Sequence, residues 1–447
     1  MNMQGRLNIF QRTMLKWDEF HPYNAIGLLK VPGRLDAQRL KSALNRSIER
    51  RGIGRFRLDR KLRAYSYPGG SYTADLRVIS GAEDSLKAAH NEVELQLNMR
   101  FVEADGEINP FRFFAVDGPD FFYLGIVYFH VIADGYSLAQ LAKDIARAYQ
   151  SADDEALLQC TDLYPDTCRS MFRRKPVSFF LPSLSIPNFL SGLRRSTKPY
   201  QMYHVNDQQL GFRLLRCDAP IAATLSAVAH TWGVTQNDVL LALVFKVIAP
   251  FVSEKKVRDK KKRMAIGAAI SISRELGIKL RGTFGVFLSS FTVSHMDPAS
   301  HSLEVLSKDI SRQTLRIRKR RLYLVTLFEK WLALKFMPLM QRKQQMKFYP
   351  KNYPLWAALT NMNFKTLMDD LEGGREIELA STVSTGPSCP IAFSVIRVRE
   401  TIHAGISFRL AVFSRAEVEQ IAADFLRYAR ELTALPVTPK KGRQEEA

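Results

Sequence analysis

The sequence predicts a mixed α/β (α+β) protein built as two lobes, and three observations lead there. The chain has 447 residues, well beyond one average domain, so two lobes of roughly 200 residues each are the natural division. Strand-like and helix-like segments alternate through both halves. Between about 165 and 200 the alternation breaks at Pro176, Pro182, Pro187 and Pro199 and at the basic pairs Arg173-Arg174 and Arg194-Arg195, as expected of a crossover between lobes. The expected division is 1–170 for an N-terminal lobe and 171–200 for a basic, Pro-rich linker. A C-terminal lobe follows at 201–435, with a basic helical insertion at about 303–348, and 436–447 forms a tail.

In the first lobe, the run from Ala25 to Val31 reads as a strand that ends at the Pro32-Gly33 turn. Asp36 is placed to cap a helix whose apolar positions are Leu40, Ala43, Leu44 and Ile48. Short strands follow around Arg63 to Tyr67 and Phe111 to Ala115, then a longer aromatic and β-branched one from Phe121 to Phe129. Leu138, Leu141, Ala142, Ile145, Ala146 and Tyr149 then lie along one face of a helix. The second lobe opens with a helix from Ala219 to Thr231. Thr235 caps the apolar helix that runs from Asn237 to about Ala249, and strands are expected at Met264 to Ser271 and Phe284 to Val293. From Leu303 to Phe348 the pattern is helical and very basic. Strands return around Ile377 to Val383, Ala392 to Val398 and Ile402 to Phe408, before a last amphipathic helix from Arg415 to Leu432.

The hydrophobic share of 46% and the charged share of 24% are those of a folded globular protein. The first residues lack the apolar core of a signal peptide. Apolar runs such as Val239 to Phe245 stop at Lys246, short of the ~20 residues of a membrane span. Four cysteines, Cys160, Cys168, Cys217 and Cys389, are too scattered for a disulfide framework or a zinc site, so reduced thiols in a cytoplasmic protein and no metal are expected. A formal charge of +21 calls for an anionic partner. Charge by itself does not choose among nucleic acid, anionic lipid, the phosphates of coenzyme A and an acidic carrier protein.

The chemistry centres on Tyr128-Phe129-His130-Val131-Ile132-Ala133-Asp134-Gly135, an HxxxDG pattern between the strand ending at Phe129 and the following helix. Imidazole suits a general base because its pKa lies near working pH. Asp134 can fix the turn by pairing with a basic side chain, and Gly135 allows the backbone to reverse without a Cβ. Taken alone, His130 also reads as an ordinary partly buried histidine at a strand end.

With the two-lobe length, this segment resembles the superfamily of chloramphenicol acetyltransferases, peptide-synthetase condensation domains, alcohol acyltransferases and wax ester synthase/diacylglycerol acyltransferases. Its usual motif is HHxxxDG, and Phe129 stands in place of the first histidine. Further segments are similar: Asn24 to Leu44 to the first strand and helix, and Gln236-Asn237-Asp238-Val239-Leu240-Leu241-Ala242 to an NDVVLA helix start. Phe284-Gly285-Val286 is similar to an FGN segment, with Val286 for the asparagine. Ile270-Ser271-Ile272-Ser273-Arg274 looks like a strand whose final arginine pairs with the motif aspartate. Thr360-Asn361-Met362-Asn363 and Ser384-Thr385-Gly386-Pro387 look like segments on the acceptor side of the family's tunnel.

The resemblance implies two chloramphenicol acetyltransferase-like lobes, each a mixed sheet flanked by helices, with a tunnel between them. It also implies direct acyl transfer from a thioester, on coenzyme A (acyl-CoA) or an acyl carrier protein, to a hydroxyl of a lipophilic acceptor, a role in lipid metabolism. His130 would be the base, Asp134, Gly135 and Arg274 would support it, and Asn361, Ser384, Thr385 and Gly386 would line the tunnel. The Ser384-Thr385-Gly386 backbone and hydroxyls would be oxyanion donors. No resident cofactor is implied, and the thioester is a co-substrate. Two alternatives stand beside this: an amide-forming condensation enzyme, and a noncatalytic binding protein on the same fold, suggested by Phe129 and Val286. Without a nucleic-acid reader motif, nucleic acid is not an expected partner. Bulky apolar residues beside the basic clusters, at Leu322 to Phe328 and Phe179 to Leu193, favour an anionic membrane surface and a peripheral location on its inner face. A monomer is expected.

Overall fold

The computed structural model describes residues 3–150, 162–163, 196–203, 207–256, 263–278, 282–365, 367, 369, 371 and 377–434. Most of the expected linker, including Phe179 to Leu193, lies outside the described residues, as do Cys160, Cys168 and the tail.

The first half runs β1 (Met3–Arg6), α1 (Ile9–Asp18), β2 (Asn24–Pro32), α2 (Ala37–Arg51), β3 (Arg57–Asp59), β4 (Ala64–Tyr67), β5 (Leu76–Ile79), α3 (Ser85–Asn98), β6 (Glu103–Ala104), β7 (Glu107–Ile108), β8 (Phe111–Asp117), β9 (Phe121–Phe129), α4 (Gly135–Gln150) and β10 (Asp162–Leu163). The second runs β11 (Leu210–Cys217), α5 (Ala219–Trp232), α6 (Gln236–Lys255), β12 (Met264–Ser271), α7 (Ser273–Leu276), β13 (Thr283–Phe284), β14 (Leu288–His295), α8 (Leu303–Lys319), α9 (Leu322–Phe336), α10 (Arg342–Asn352), β15 (Ala357–Asn363), β16 (Glu378–Val383), β17 (Ile391–Val398), β18 (Thr401–Arg409) and α11 (Arg415–Glu431).

Two sheets carry the architecture. One has five strands in the order β16-β2-β9-β8-β5, and the other six in the order β11-β18-β17-β15-β12-β14. Both are mixed: β5 pairs parallel with β8, and β15 pairs parallel with both β12 and β17, while the other pairings are antiparallel. The expected mixed sheets flanked by helices are therefore present. One strand does not respect the order of the chain. β16 comes late in the sequence, yet it pairs antiparallel with β2, Ser381 opposite Gly27, and so completes the first sheet.

Its other side meets the second sheet at close range. A Cβ on Gly405, in the middle of β18, would sit 2.0 Å from the Ser381 carbonyl oxygen. Only glycine lets the two backbones come this close. Ser407 Oγ donates to the Val383 carbonyl at 2.5 Å, a second tie across the same junction.

The helices follow local rules. Asp36 accepts from the Arg39 amide and Gly52 closes α2 in the left-handed region at φ 68°. Thr235 and Asp238 form a reciprocal capping box on α6. With 20 residues and a mean hydropathy of 1.4 over its most apolar 18, α6 has the length and apolarity of a membrane span. In this fold it is a core helix, with Val239 to Phe245, Val247 and Ile248 all buried. Lys246 reaches off the helix to donate to the His301 carbonyl at 2.5 Å.

The basic stretch expected as one helical insertion is three helices, α8 to α10. The apolar run at Leu322 to Phe328 turns mainly inward, because Tyr323, Leu324, Val325, Thr326 and Leu327 are buried against β14 and the core. That run does not offer the apolar surface expected of it. Phe336 and Leu339 are the large apolar side chains that this region leaves most open on its later half, 51% and 82% exposed.

Candidate active site

β9, the central strand of the first sheet, pairs with β2 over its whole length, Asn24 opposite Phe129, and delivers His130 just past its own C-terminal end. The His130 amide donates to the Tyr23 carbonyl at 3.4 Å, so the strand pairing extends to the residue itself. Its ring stacks on Tyr23 with centroids 5.5 Å apart, and Tyr128 meets it edge-on at 5.8 Å. Nδ1 lies 2.9 Å from the Ala133 carbonyl oxygen. A carbonyl only accepts, so Nδ1 carries the proton and Nε2 presents its lone pair. Nε2 has no hydrogen-bond partner among the described residues. Burial lowers the imidazole pKa to about 4, the Ala133 carbonyl opposing the shift, so the ring is neutral at ordinary pH.

His130 stands where two cavities meet. The first, of about 240 Å³, is lined by Tyr136, Asn361, Asn363, Phe364, Thr382 and Ser394 among others; the second, of about 150 Å³, is lined by Trp17, Glu329, Lys330, Tyr349, Ser384 and Thr385 among others. His130 belongs to both, together with Ala269, Leu288, Thr360 and Val383. Where the resemblance implies a tunnel, the described residues form two cavities that share this stretch of wall.

Asp134 is buried and supports the turn by a different route from the one expected. One carboxylate oxygen accepts from the Ser137 amide at 3.0 Å and caps α4; the other accepts from the Phe287 amide at 3.1 Å. The Asp134 amide itself donates to the Gly285 carbonyl at 2.9 Å, and Ser137 Oγ donates to the same carbonyl at 3.0 Å. The HxxxDG turn is thus stitched to residues 285–287. Burial raises the Asp134 pKa and these hydrogen bonds oppose the rise.

Arg274 does not pair with Asp134. β12 ends at Ser271 and the chain turns into α7, whose Arg274 side chain is exposed while Asp134 is sealed inside. Two amides already meet the needs of the carboxylate, and an arginine there would have to be desolvated as well.

Gly135 also serves a different purpose. Its φ is not in the left-handed region, and its open side is filled by the Met362 side chain on β15, whose Sδ would lie 2.1 Å from a Cβ there and would have to move for any larger residue. Asn361, Ser384 and Thr385 line cavities, but on different sides of His130: Asn361 the first, Ser384 and Thr385 the second. Gly386 lines neither and turns behind the second at φ 65°, its carbonyl taking the buried Arg409 guanidinium at 2.7 Å. The Ser384 amide is committed to the Asn24 carbonyl at 2.9 Å, which removes it as an oxyanion donor.

Phe129, at the position of the first motif histidine, packs against Phe56 and Phe101 and lines neither cavity. Asp238 accepts from Thr314 Oγ1 at 2.7 Å inside the core, and its role is structural. Several lining residues were not picked out from the sequence: Tyr23, Thr382, Ser394, Glu329, Lys330 and Tyr349. The one local signal was Glu329-Lys330, a charged doublet inside an otherwise apolar helix. Among the described residues no group of three or more His, Cys, Asp or Glu is placed to hold a metal ion.

Residues 2–166 match the family model described as the condensation domain. Similar solved structures span nearly the whole chain. The first condensation domain of the calcium-dependent antibiotic synthetase, solved with a substrate analogue, is 15% identical, covers 98% of each chain and gives a TM-score of 0.68. The EpoB NRPS cyclization-docking bidomain from Sorangium cellulosum is also 15% identical, covering 97% of this chain and 86% of its own at a TM-score of 0.67. The epimerization domain from the third module of tyrocidine synthetase B is 13% identical, over 97% and 96%, at 0.64. No curated protein matches the sequence. The chain therefore has the two-lobed fold of these condensation-type structures, and the family model supports the resemblance over residues 2–166, while the nearness to alcohol acyltransferases draws no support from these structures.

Proposed function

We propose that this chain with the condensation-domain fold is an acyltransferase, and that His130 moves the proton in a direct transfer from a thioester to an acceptor hydroxyl. The observation that carries the reading is the free Nε2 of a neutral imidazole where two cavities meet, its other nitrogen held by Ala133. Nε2 takes the proton of the acceptor O–H as the oxygen attacks the thioester carbonyl carbon. The tetrahedral intermediate then expels the thiolate, which takes the same proton back from the imidazolium. An ester forms, a thioester bond breaks, and the ring ends neutral. The Thr382 hydroxyl, buried in the first cavity without a partner among the described residues, is the group we assign to the developing oxyanion.

The donor is a thioester on coenzyme A or on an acidic carrier protein, both anionic and both suited to a chain of charge +21. An amide-forming condensation follows the same proton path with an amine in place of the alcohol. The kinship in fold with condensation domains favours keeping it as the second reading. Assays with matched alcohol and amine acceptors separate the two, and exclusive amide product overturns the ester assignment.

His130→Ala is expected to lower transfer by about 10²- to 10⁴-fold with an unchanged melting temperature. Undiminished transfer overturns the mechanism. In the wild type, kcat/KM is expected to fall on the acid side with a midpoint near 4, because the base is lost only when the buried imidazole takes a proton. A midpoint at the ordinary histidine value would place the base on another residue.

A further inference from the structure

Glu329 projects from α9 into the wall of the second cavity, only 3% exposed, and its carboxylate accepts no hydrogen bond from any described residue. Buried polar atoms are nearly always paired, and an unpaired buried carboxylate costs several kcal/mol. Lys330 is its neighbour in charge, but no hydrogen bond joins the two. Lys330, the next residue, donates to Ser290 Oγ at 2.8 Å and lies over the Phe10 ring at 5.4 Å. Thr326 Oγ1 lies 2.7 Å from the Ser290 carbonyl, and Cys389 Sγ donates to the Thr385 carbonyl at 3.0 Å. No described donor in the wall hydrogen-bonds Glu329, and Trp17 Nε1 and Tyr349 Oη in the same wall are also without hydrogen-bond partners among the described residues.

Much of that wall is apolar and aromatic, including Phe10, Trp17, Tyr23, Ala333 and Tyr349, with Lys330, Ser290, Thr326 and Thr385 among its polar members. Such a space takes a ligand with an apolar body, and the carboxylate requires that body to carry a donor. A cation fits best. Charge-assisted pairs are the stronger ones in a low-dielectric site, and aromatic rings also attract cations.

We propose that the second cavity is a recognition site for a substrate portion with an apolar body and a protonated amine, and that Glu329 is the residue that selects it. This rests on reading the two cavities as the substrate arms of the proposed transferase. The amine would be held by Glu329, leaving the reacting hydroxyl or amine to meet His130 in the same cavity. Burial raises the Glu329 pKa and lowers that of Lys330, and the charge of each opposes the shift of the other. Left empty, the carboxylate is a stability cost retained for function.

The test is binding of hexylamine and hexanol to the full chain, followed by calorimetric titration and thermal shift in mildly alkaline buffer, in the wild type and in His130→Ala. Both proteins are expected to bind the amine at least about tenfold more tightly than the alcohol, a difference of about 1.4 kcal/mol. Glu329→Gln is expected to abolish that preference. Glu329→Met, which replaces an unpaired charge by an apolar chain of similar volume, is expected to raise the melting temperature. Equal affinity for the two ligands, no detectable amine binding, or a preference that survives Glu329→Gln overturns the proposal. So does a lower melting temperature in Glu329→Met, which would make the carboxylate a structural group. Because binding is also read in His130→Ala, failure of the catalytic assignment and failure of the amine site give different results.

Discussion

The two oxygens of Asp134 are spent on different elements, one on the first turn of α4 and the other on the Phe287 amide, and this division sets what its loss should do. Asp134→Ala leaves two buried amides unpaired, at about 1–3 kcal/mol each, so a loss of roughly 2–6 kcal/mol is expected in urea denaturation. Asp134→Asn keeps one good acceptor and should fall between. Arg274→Ala, at an exposed position without that ion pair, should stay within about 0.5 kcal/mol. A cost for Arg274→Ala matching that of Asp134→Ala would restore the ion pair as the support of the turn. The neighbouring imidazole has a linked consequence. Its folded pKa lies below the unfolded value of 6.5, so between 6.5 and about 4 the unfolded chain binds one more proton than the folded one. Stability from the neutral ring is full above that window and is lost as pH falls through it, by about 3 kcal/mol. His130→Gln should remove this share of the acid sensitivity.

At the scale of elements, the decisive piece is β16, a strand from the second half that closes the first sheet and brings Val383 and Ser384 beside His130. Gly405 makes room for it. Gly405→Val should cost at or above the upper end of about 1–3 kcal/mol, because the atom that the new Cβ meets is a backbone carbonyl oxygen held in the paired strand β16. A valine variant with wild-type stability and a native near-ultraviolet spectrum would show that the sheets part easily. Which elements were legible follows from how local their causes are. The runs Phe121 to Phe129 and Met264 to Ser271 were read with the bounds they have, since apolar and β-branched composition marks them without outside help. Asp36 and Thr235 announced their helices by side-chain capping. α1 went unread although Asn8 and Gln11 form a capping box on it, because the apolar stripe behind them is short. β16 was visible as a strand, but its partner β2 lies some 350 residues earlier, and register over that distance is set by tertiary packing. Arg274 reads from the sequence as a strand end, but the strand stops three residues earlier at Ser271. Glu329 reads as solvated until α9 is seen to turn its face inward.

For the molecule as a whole, the charge of +21 remains the property that no single site accounts for. An electrostatic attraction of that size draws anionic surfaces and weakens as salt shortens the Debye length from ~30 Å at 0.01 M to ~8 Å at 0.15 M. The fold changes which residues would add apolar contact to it. Tyr323 to Leu327 are inside, so the contribution of the basic region falls to Phe336 and Leu339, near the bases Lys335, Arg342 and Lys343. We therefore expect flotation with vesicles containing anionic lipid at low salt, little with neutral vesicles, and release as salt rises. Phe336→Ser with Leu339→Ser should weaken attachment severalfold at fixed salt while leaving the salt dependence in place, because apolar insertion and charge attraction add separately. If the double variant floats as the wild type does, attachment is electrostatic alone and these side chains do not enter the lipid. If the wild type fails to float at low salt, the membrane is removed as a partner, and the charge is left to an acidic carrier protein or the phosphates of the thioester donor.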